Sequence, residues 1–177
     1  MDKMKVIFLD IDGVLLPIPP GVQPCTLQSR NATASFDNAC TRQLAALTEK
    51  TGAKLVLSSN WRYIHSESDI VARENLERQL AGFQLSLWDE TPASPRRTPM
   101  DRWNEISAWL KLHPETEAFC ILDDVMLPGF PPERAVLCQA SRGLTAEEVY
   151  RACELLMKPL SKEEALMYAA STNIFEG

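Results

Sequence analysis

The sequence predicts a three-layer α/β fold, with a central, mostly parallel sheet covered by helices on both faces. Three observations carry this reading. Short, near-continuous apolar runs at 5–9, 53–57 and 119–122 alternate with stretches of helical periodicity, the pattern of parallel strands buried on both faces. The helical stretches carry their own start and stop signals. The apolar runs end in acids or small polar residues, and ligands of such sheets sit beyond the carboxyl ends of the strands. A chain of 177 residues, 45% hydrophobic and 24% charged, suits a single soluble domain.

Each element has a local reason. Lys5–Leu9 reads as the first strand and stops at Asp10-Ile11-Asp12-Gly13. Residues 16–35 hold Pro17, Pro19, Pro20 and Pro24 and read as a loop or flap, because proline denies a helix its hydrogen bonds. Asp37 or Asn38 opens a helix to about Lys50, with Leu44, Ala45 and Leu47 inward and Gly52 as its stop. Ala53–Leu57 is the second strand, ending in Ser58-Ser59-Asn60.

Residues 69–81 read as a helix with Ile70, Leu76 and Leu80 near one face, and Phe83–Trp88 as a weaker third strand. The proline-punctuated segment Pro92–Pro99 is a loop. Asp101 is expected to cap a helix to about Leu112, with Ile106, Trp109 and Leu110 inward. Phe119–Leu122 is a strand ending in Asp123-Asp124, and Arg134–Gln139 another short strand. Thr145 followed by Glu148 is a capping box for a helix to Met157, which Pro159 ends. Residues 161–171 read as a last short helix. The expected organisation is one domain over 1–160 and a C-terminal helix and tail over 161–177.

Composition excludes several classes. With 24 acids against 18 bases, net charge −6, the chain as a whole is not a polycationic surface for nucleic acid. No run is long enough for a signal peptide or membrane span. The five cysteines are scattered, without a C-x-x-C pair, and read as reduced thiols of a cytoplasmic protein rather than a zinc or disulfide framework. P-loop and dinucleotide fingerprints are absent. Trp88, Trp103 and Trp109 read as packing, His65 as a surface residue, and His113 as a helix end. For Trp61, core packing and a stacking platform both stay open.

The chemistry lies in the acids. Asp10 and Asp12 stand at i and i+2 beside Gly13, and Asp123-Asp124 close a distant strand. If both strands are central, four carboxylates converge and repel. A hard divalent cation such as Mg²⁺ resolves this, since it takes oxygen ligands and keeps several waters. The expected metal ligands are Asp10, Asp12, Asp123 and Asp124.

Phe-Leu-Asp10-Ile-Asp12-Gly-Val-Leu resembles the first motif of the haloacid dehalogenase (HAD) superfamily of phosphohydrolases, Leu-Val-Leu-Ser58-Ser-Asn its second, and Ile-Leu-Asp123-Asp124 its fourth. The Ser-Ser-Asn-Trp-Arg and Ile-x-x-Trp-Leu stretches resemble its small, capless branch found in RNA-repair proteins. The resemblance implies a Rossmann-like HAD fold with a minimal cap. It also implies Mg²⁺-dependent phosphate ester hydrolysis through an aspartyl-phosphate. Asp10 would be the nucleophile and Asp12 the acid and base. Ser58 would hold the phosphoryl group, helped by backbone N–H groups of Ser59 and Asn60 as substrate contacts. The acid at Asp12 favours phosphoryl transfer over dehalogenation.

The third motif normally offers a lysine; here Arg102 is the expected substitute, with Arg96 and Arg97 as competitors. Arg62 is read as a substrate-phosphate ligand, with a structural salt bridge equally open. The expected partner is a phosphorylated substrate, nucleic-acid ends or nucleotides being the first reading because no large cap covers the site. The alternatives are a small-molecule phosphatase of the same mechanism and a non-catalytic binding module; a phosphoacceptor signalling domain fits the acid positions poorly.

Overall fold

The computed structural model describes residues 2–22 and 33–170. Its strands are β1 (Met4–Leu9), β2 (Lys54–Leu57), β3 (Leu87–Glu90), β4 (Thr116–Asp123) and β5 (Ala135–Leu137). Its helices are α1 (Asn38–Thr51), α2 (Glu67–Ala81), α3 (Arg102–Leu112), α4 (Ala146–Leu156) and α5 (Lys162–Tyr168). The five strands form one sheet in the order β3-β2-β1-β4-β5, every neighbouring pair parallel. The chain winds outward from β1 to β3, then returns to the other side of β1 through β4. The order therefore reverses between β1 and β4, which makes their carboxyl ends the topological switch point.

Alternation along the strands sorts the core into two layers. Ile7, Leu9, Leu55, Leu57, Cys120 and Leu122 face α1, α2 and α4. Val6, Phe8, Val56, Phe119 and Ile121 face α3 and Tyr168 of α5. Period-two patterning inside an all-apolar run thus supplies both faces at once. β1, β2 and β4 are the deeply buried strands because each has a strand on either side.

The local signals work largely as chemistry requires. Asp37 caps α1 by accepting from the Cys40 N–H, and Gly52 closes it in the left-handed conformation at φ 68°. Thr145 and Glu148 form the capping box of α4. A second capping box, Ser161 with Glu164, starts α5. This last helix is part of the core: Tyr168 is buried against Phe119 and Trp103, and its hydroxyl donates to Glu133 Oε1 at 2.5 Å.

Three expectations need correction. Ile70 is 47% exposed; Leu76 and Leu80 face inward as expected, and Ala72 rather than Ile70 completes their stripe. The third strand begins at Leu87, because Gln84 adopts a left-handed turn (φ 60°) and holds residues 83–86 out of the ladder. On this edge strand Trp88 is 45% exposed and packs edge-to-face against Trp109 and His113, the packing role read for it. Asp101 stands at the N-cap position of α3 but makes no cap bond; its carboxylate accepts from Ser94 Oγ (2.9 Å) and Arg96. Half of the expected flap, residues 23–32, with Cys25 among them, and the tail from 171 onward lie outside the described residues.

Because Tyr168 fills core volume that α3 and β4 leave open, Tyr168→Ala should cost about 3 kcal/mol, the scale of burying an aromatic side chain. A lowered denaturant midpoint with an unchanged slope would show it; an unaltered midpoint would mean that α5 adds nothing to the core.

Candidate active site

Two adjacent parallel strands deliver the acids. Leu9 pairs in register with Leu122, so Asp10 and Asp123 follow side by side, and the Asp10 N–H donates to the Leu122 carbonyl at 2.9 Å. Carboxylate oxygens of Asp10, Asp123 and Asp124 all lie within 4.8 Å of one another. Asp123 is 3% exposed.

Gly13 makes this convergence possible. It sits at φ 76°, and a Cβ built there would come within 2.5 Å of Asp124 Cγ. The first loop can therefore approach the second acid pair only with glycine at this position.

Burial dominates the protonation equilibria. It pushes Asp123 up to about 9, with further upward contributions from Asp10 and Asp124, against the pull of the Val125 N–H and Arg102. It pushes Asp10 up to about 7; the nearby Arg102 cation opposes this, and Asp12 and Asp124 add to it. Asp12 and Asp124 are raised by burial as well. Three oxygen donors crowded together and reluctant to ionise without a countercharge are the donor set a hard dication wants. The residues present therefore fit Mg²⁺. Asp10, Asp123 and Asp124 would hold it.

Asp12 is placed differently from the expectation. Its side chain does not belong to the three-acid group; its Oδ2 accepts from Trp61 Nε1 at 3.1 Å. Trp61 is 4% exposed and packs edge-to-face on Phe36. It is thus a core residue and also the group that orients Asp12.

The loop after β2 supplies the polar wall. Hydrogen bonding from the Ser59 side chain partly offsets the upward shift of Asp10, so it is Ser59 that acts on Asp10. The Ser58 hydroxyl is buried without a partner, as is Asp12 Oδ1. Buried polar atoms without partners are rare, and these two belong to the loops that follow β1 and β2. Ser58 and Asn60 also carry Arg102, whose Nη1 donates to the Ser58 carbonyl and Nη2 to Asn60 Oδ1 at 3.0 Å.

Arg102 is 3% exposed, and its charge opposes the upward shift of Asp10. It is the arginine that the fold brings to the acids; Arg96 is paired with Asp101 (2.6 Å) and Arg97 with His65.

Arg62 departs from its reading as a phosphate ligand. It is 6% exposed. Its donors are taken by the Ser59 carbonyl (2.8 Å), the Thr91 carbonyl (2.8 Å) and Glu105 (2.8 Å). Glu105, fully buried, also lies 3.5 Å from Arg102 Nε, so one carboxylate balances two arginines.

Glu105 was missed in the sequence. Its i, i+3 spacing from Arg102 was visible, but only tertiary packing shows that it holds Arg62 as well. The described cysteines Cys40, Cys120, Cys138 and Cys153 are free and buried.

Fold and site together define a doubly wound α/β domain with a group of three converging acids at its switch point. The chain belongs to the HAD superfamily: residues 6–149 match the family described as the HAD domain in Swiss Army Knife RNA repair proteins. It is thus a HAD-type hydrolase domain. No curated protein and no solved structure matches it significantly. Among the described residues, no helix is long and apolar enough to cross a membrane.

Two measurements test the site. Gly13→Ala should weaken Mg²⁺ binding by about 10–100-fold, the usual scale for disturbing the support of a metal ligand; equal affinity by calorimetry would mean that Asp124 is not held by this contact. Raised carboxyl pKa values favour the protonated folded state, so this stabilisation is full below about pH 4 and lost as pH rises through about 7 for Asp10 and about 9 for Asp123. In chelator, the melting temperature should therefore fall across that window, and Mg²⁺ should raise it more at pH 8 than at pH 5. A Mg²⁺ effect independent of pH would contradict the shared-acid site.

Proposed function

We propose that this domain is a Mg²⁺-dependent phosphomonoesterase that works through an aspartyl-phosphate on Asp10. The observation that carries the reading is the convergence of Asp10, Asp123 and Asp124 with Asp12 held beside them by Trp61. Bound Mg²⁺ would neutralise the acids and the phosphoryl charge, which is most of what phosphoryl transfer requires.

The chain's own residues supply the rest. An Asp10 oxygen attacks phosphorus, the bond from phosphorus to the ester oxygen breaks, and Asp12 gives its proton to that oxygen. Burial raises the Asp12 pKa, which suits a group that must carry a proton. Water then attacks phosphorus, Asp12 takes its proton, and the bond to Asp10 breaks to release phosphate. Ser58 and Ser59 offer hydroxyls near the phosphoryl oxygens, with the Asn60 N–H beside them. Arg102 lends positive charge to the nucleophile's side of the site, as a permanent cation where the superfamily motif has lysine.

For substrate, phosphorylated nucleic-acid ends or nucleotides are the preferred class. Residues 10–37, between β1 and α1, are too few for a separate cap domain, and an open site admits the end of a polymer. The matched family's description points the same way.

Phosphate release in Mg²⁺, from an aryl phosphate and from a 3′-phosphorylated oligonucleotide, tests this directly. Asp10→Asn should remove at least about 10³-fold of the rate, the scale of deleting a covalent nucleophile. Arg102→Ala should cost about 10²-fold and Arg102→Lys less. Release that persists in Asp10→Asn would exclude the aspartyl-phosphate route.

A further inference from the structure

The four arginines around the β2 and β3 ends are not equivalent. Arg62 and Arg102 are buried on Glu105, and Arg96 is bound to Asp101. Arg97 is exposed, and among the described residues no carboxylate stands within ion-pair distance of it. Its Nη1 lies 2.6 and 2.7 Å from the two ring nitrogens of His65. At least one of those nitrogens bears a hydrogen and cannot accept, so most Arg97 donors remain free. Its guanidinium also sits over the Tyr63 ring, 5.8 Å from the centroid.

The placement of Arg97 is strained and held from below. Its backbone is left-handed at φ 50°, a region that side-chain-bearing residues rarely adopt. The turn Ser94–Arg97 is closed by the Arg97 N–H on the Ser94 carbonyl (3.0 Å) and on Ser94 Oγ (3.2 Å). Ser94 in turn gives its N–H to buried Glu105 (2.7 Å) and its hydroxyl to buried Asp101 (2.9 Å). Two buried carboxylates thus fasten a solvent-facing turn so that it presents a cation beside an aromatic ring. Tyr63 follows Ser59, whose side chain acts on Asp10, by four residues, so its Cα lies within about 15 Å of the Ser59 Cα.

We propose that Tyr63, His65 and Arg97 form a second subsite, which takes the nucleotide unit next to the scissile phosphate. Arg97 with His65 receives its phosphodiester oxygens and the Tyr63 ring stacks on its base. A free, pre-placed cation matches a phosphate, and an adjoining half-buried ring matches any base face. The inference rests on the reading of the Asp10 site as a phosphomonoester site, and it explains how an acidic chain would hold a polyanion: by one subsite rather than by a basic surface.

The test is fluorescence anisotropy with the full chain in Mg²⁺, using 5′-labelled, 3′-phosphorylated single-stranded hexanucleotides, one ribo- and one deoxyribo-. The variants are Arg97→Asn, which tolerates the left-handed backbone, Tyr63→Leu and Tyr63→Phe. Arg97→Asn and Tyr63→Leu should each weaken binding about tenfold, with Tyr63→Phe close to wild type. Arg97→Asn should also flatten the salt dependence by about one phosphate's worth, and its kcat/KM should fall more for the oligonucleotide than for an aryl phosphate.

Equal binding by wild type and Arg97→Asn, or no binding by wild type, would overturn the subsite. If wild type turns over aryl phosphate in that case, the proposed function survives alone. If wild type releases no phosphate yet binds in an Arg97-dependent way, the subsite stands and the catalytic reading fails. Melting curves of the variants separate loss of contact from loss of fold.

Discussion

The burial of like charges at one pole of the sheet is the constraint on which the other features of the site depend. Asp10 and Asp123 leave neighbouring parallel strands in register, so they cannot move apart without breaking the ladder. Water is largely excluded from Asp123, and repulsion adds to the desolvation cost. The surroundings answer it with opposite charge, hydrogen bonds and room. Arg102 sets a cation against Asp10 and Asp123, Ser59 and Trp61 donate to Asp10 and Asp12, and Gly13 gives Asp124 space.

That answer needs its own support. Two arginines under the β2 loop would themselves be costly to bury, and Glu105 balances both. The same carboxylate holds the Ser94 N–H, so the acid pole, the β2 loop and the β3 loop share one buried residue. A charge placed to restrain Arg62 and Arg102 also sets the shape of the rim where Arg97 stands. Removing it would disturb all three loops together.

Local elements were largely legible because their causes are local. Caps at Asp37, Thr145 and Gly52 act within a few residues, and apolar runs reveal strands buried on both faces. Legibility failed where a distant partner overrode a local preference. Asp101 looked like a cap, but Ser94 and Arg96 claim its carboxylate. On α2, Leu76 and Leu80 face the core as read and Ile70 does not, because the buried stripe runs at i, i+4 and i+8 through Ala72 and Ile70 lies off it.

The motifs by themselves determined which residues could do chemistry: an acid pair beside glycine, a serine pair after a strand, and a second acid pair after another. The reason is that hard-cation and phosphate chemistry admits few side chains, and those residues follow apolar strands. Tertiary structure alone decided how they are arranged. It put Asp12 on Trp61 rather than in the three-acid group, Ser59 rather than Ser58 against Asp10, and Arg62 into the interior. Those assignments turn on ångström-scale distances between segments far apart in sequence, set by strand register and by which buried charge finds which partner, and a linear pattern does not carry them.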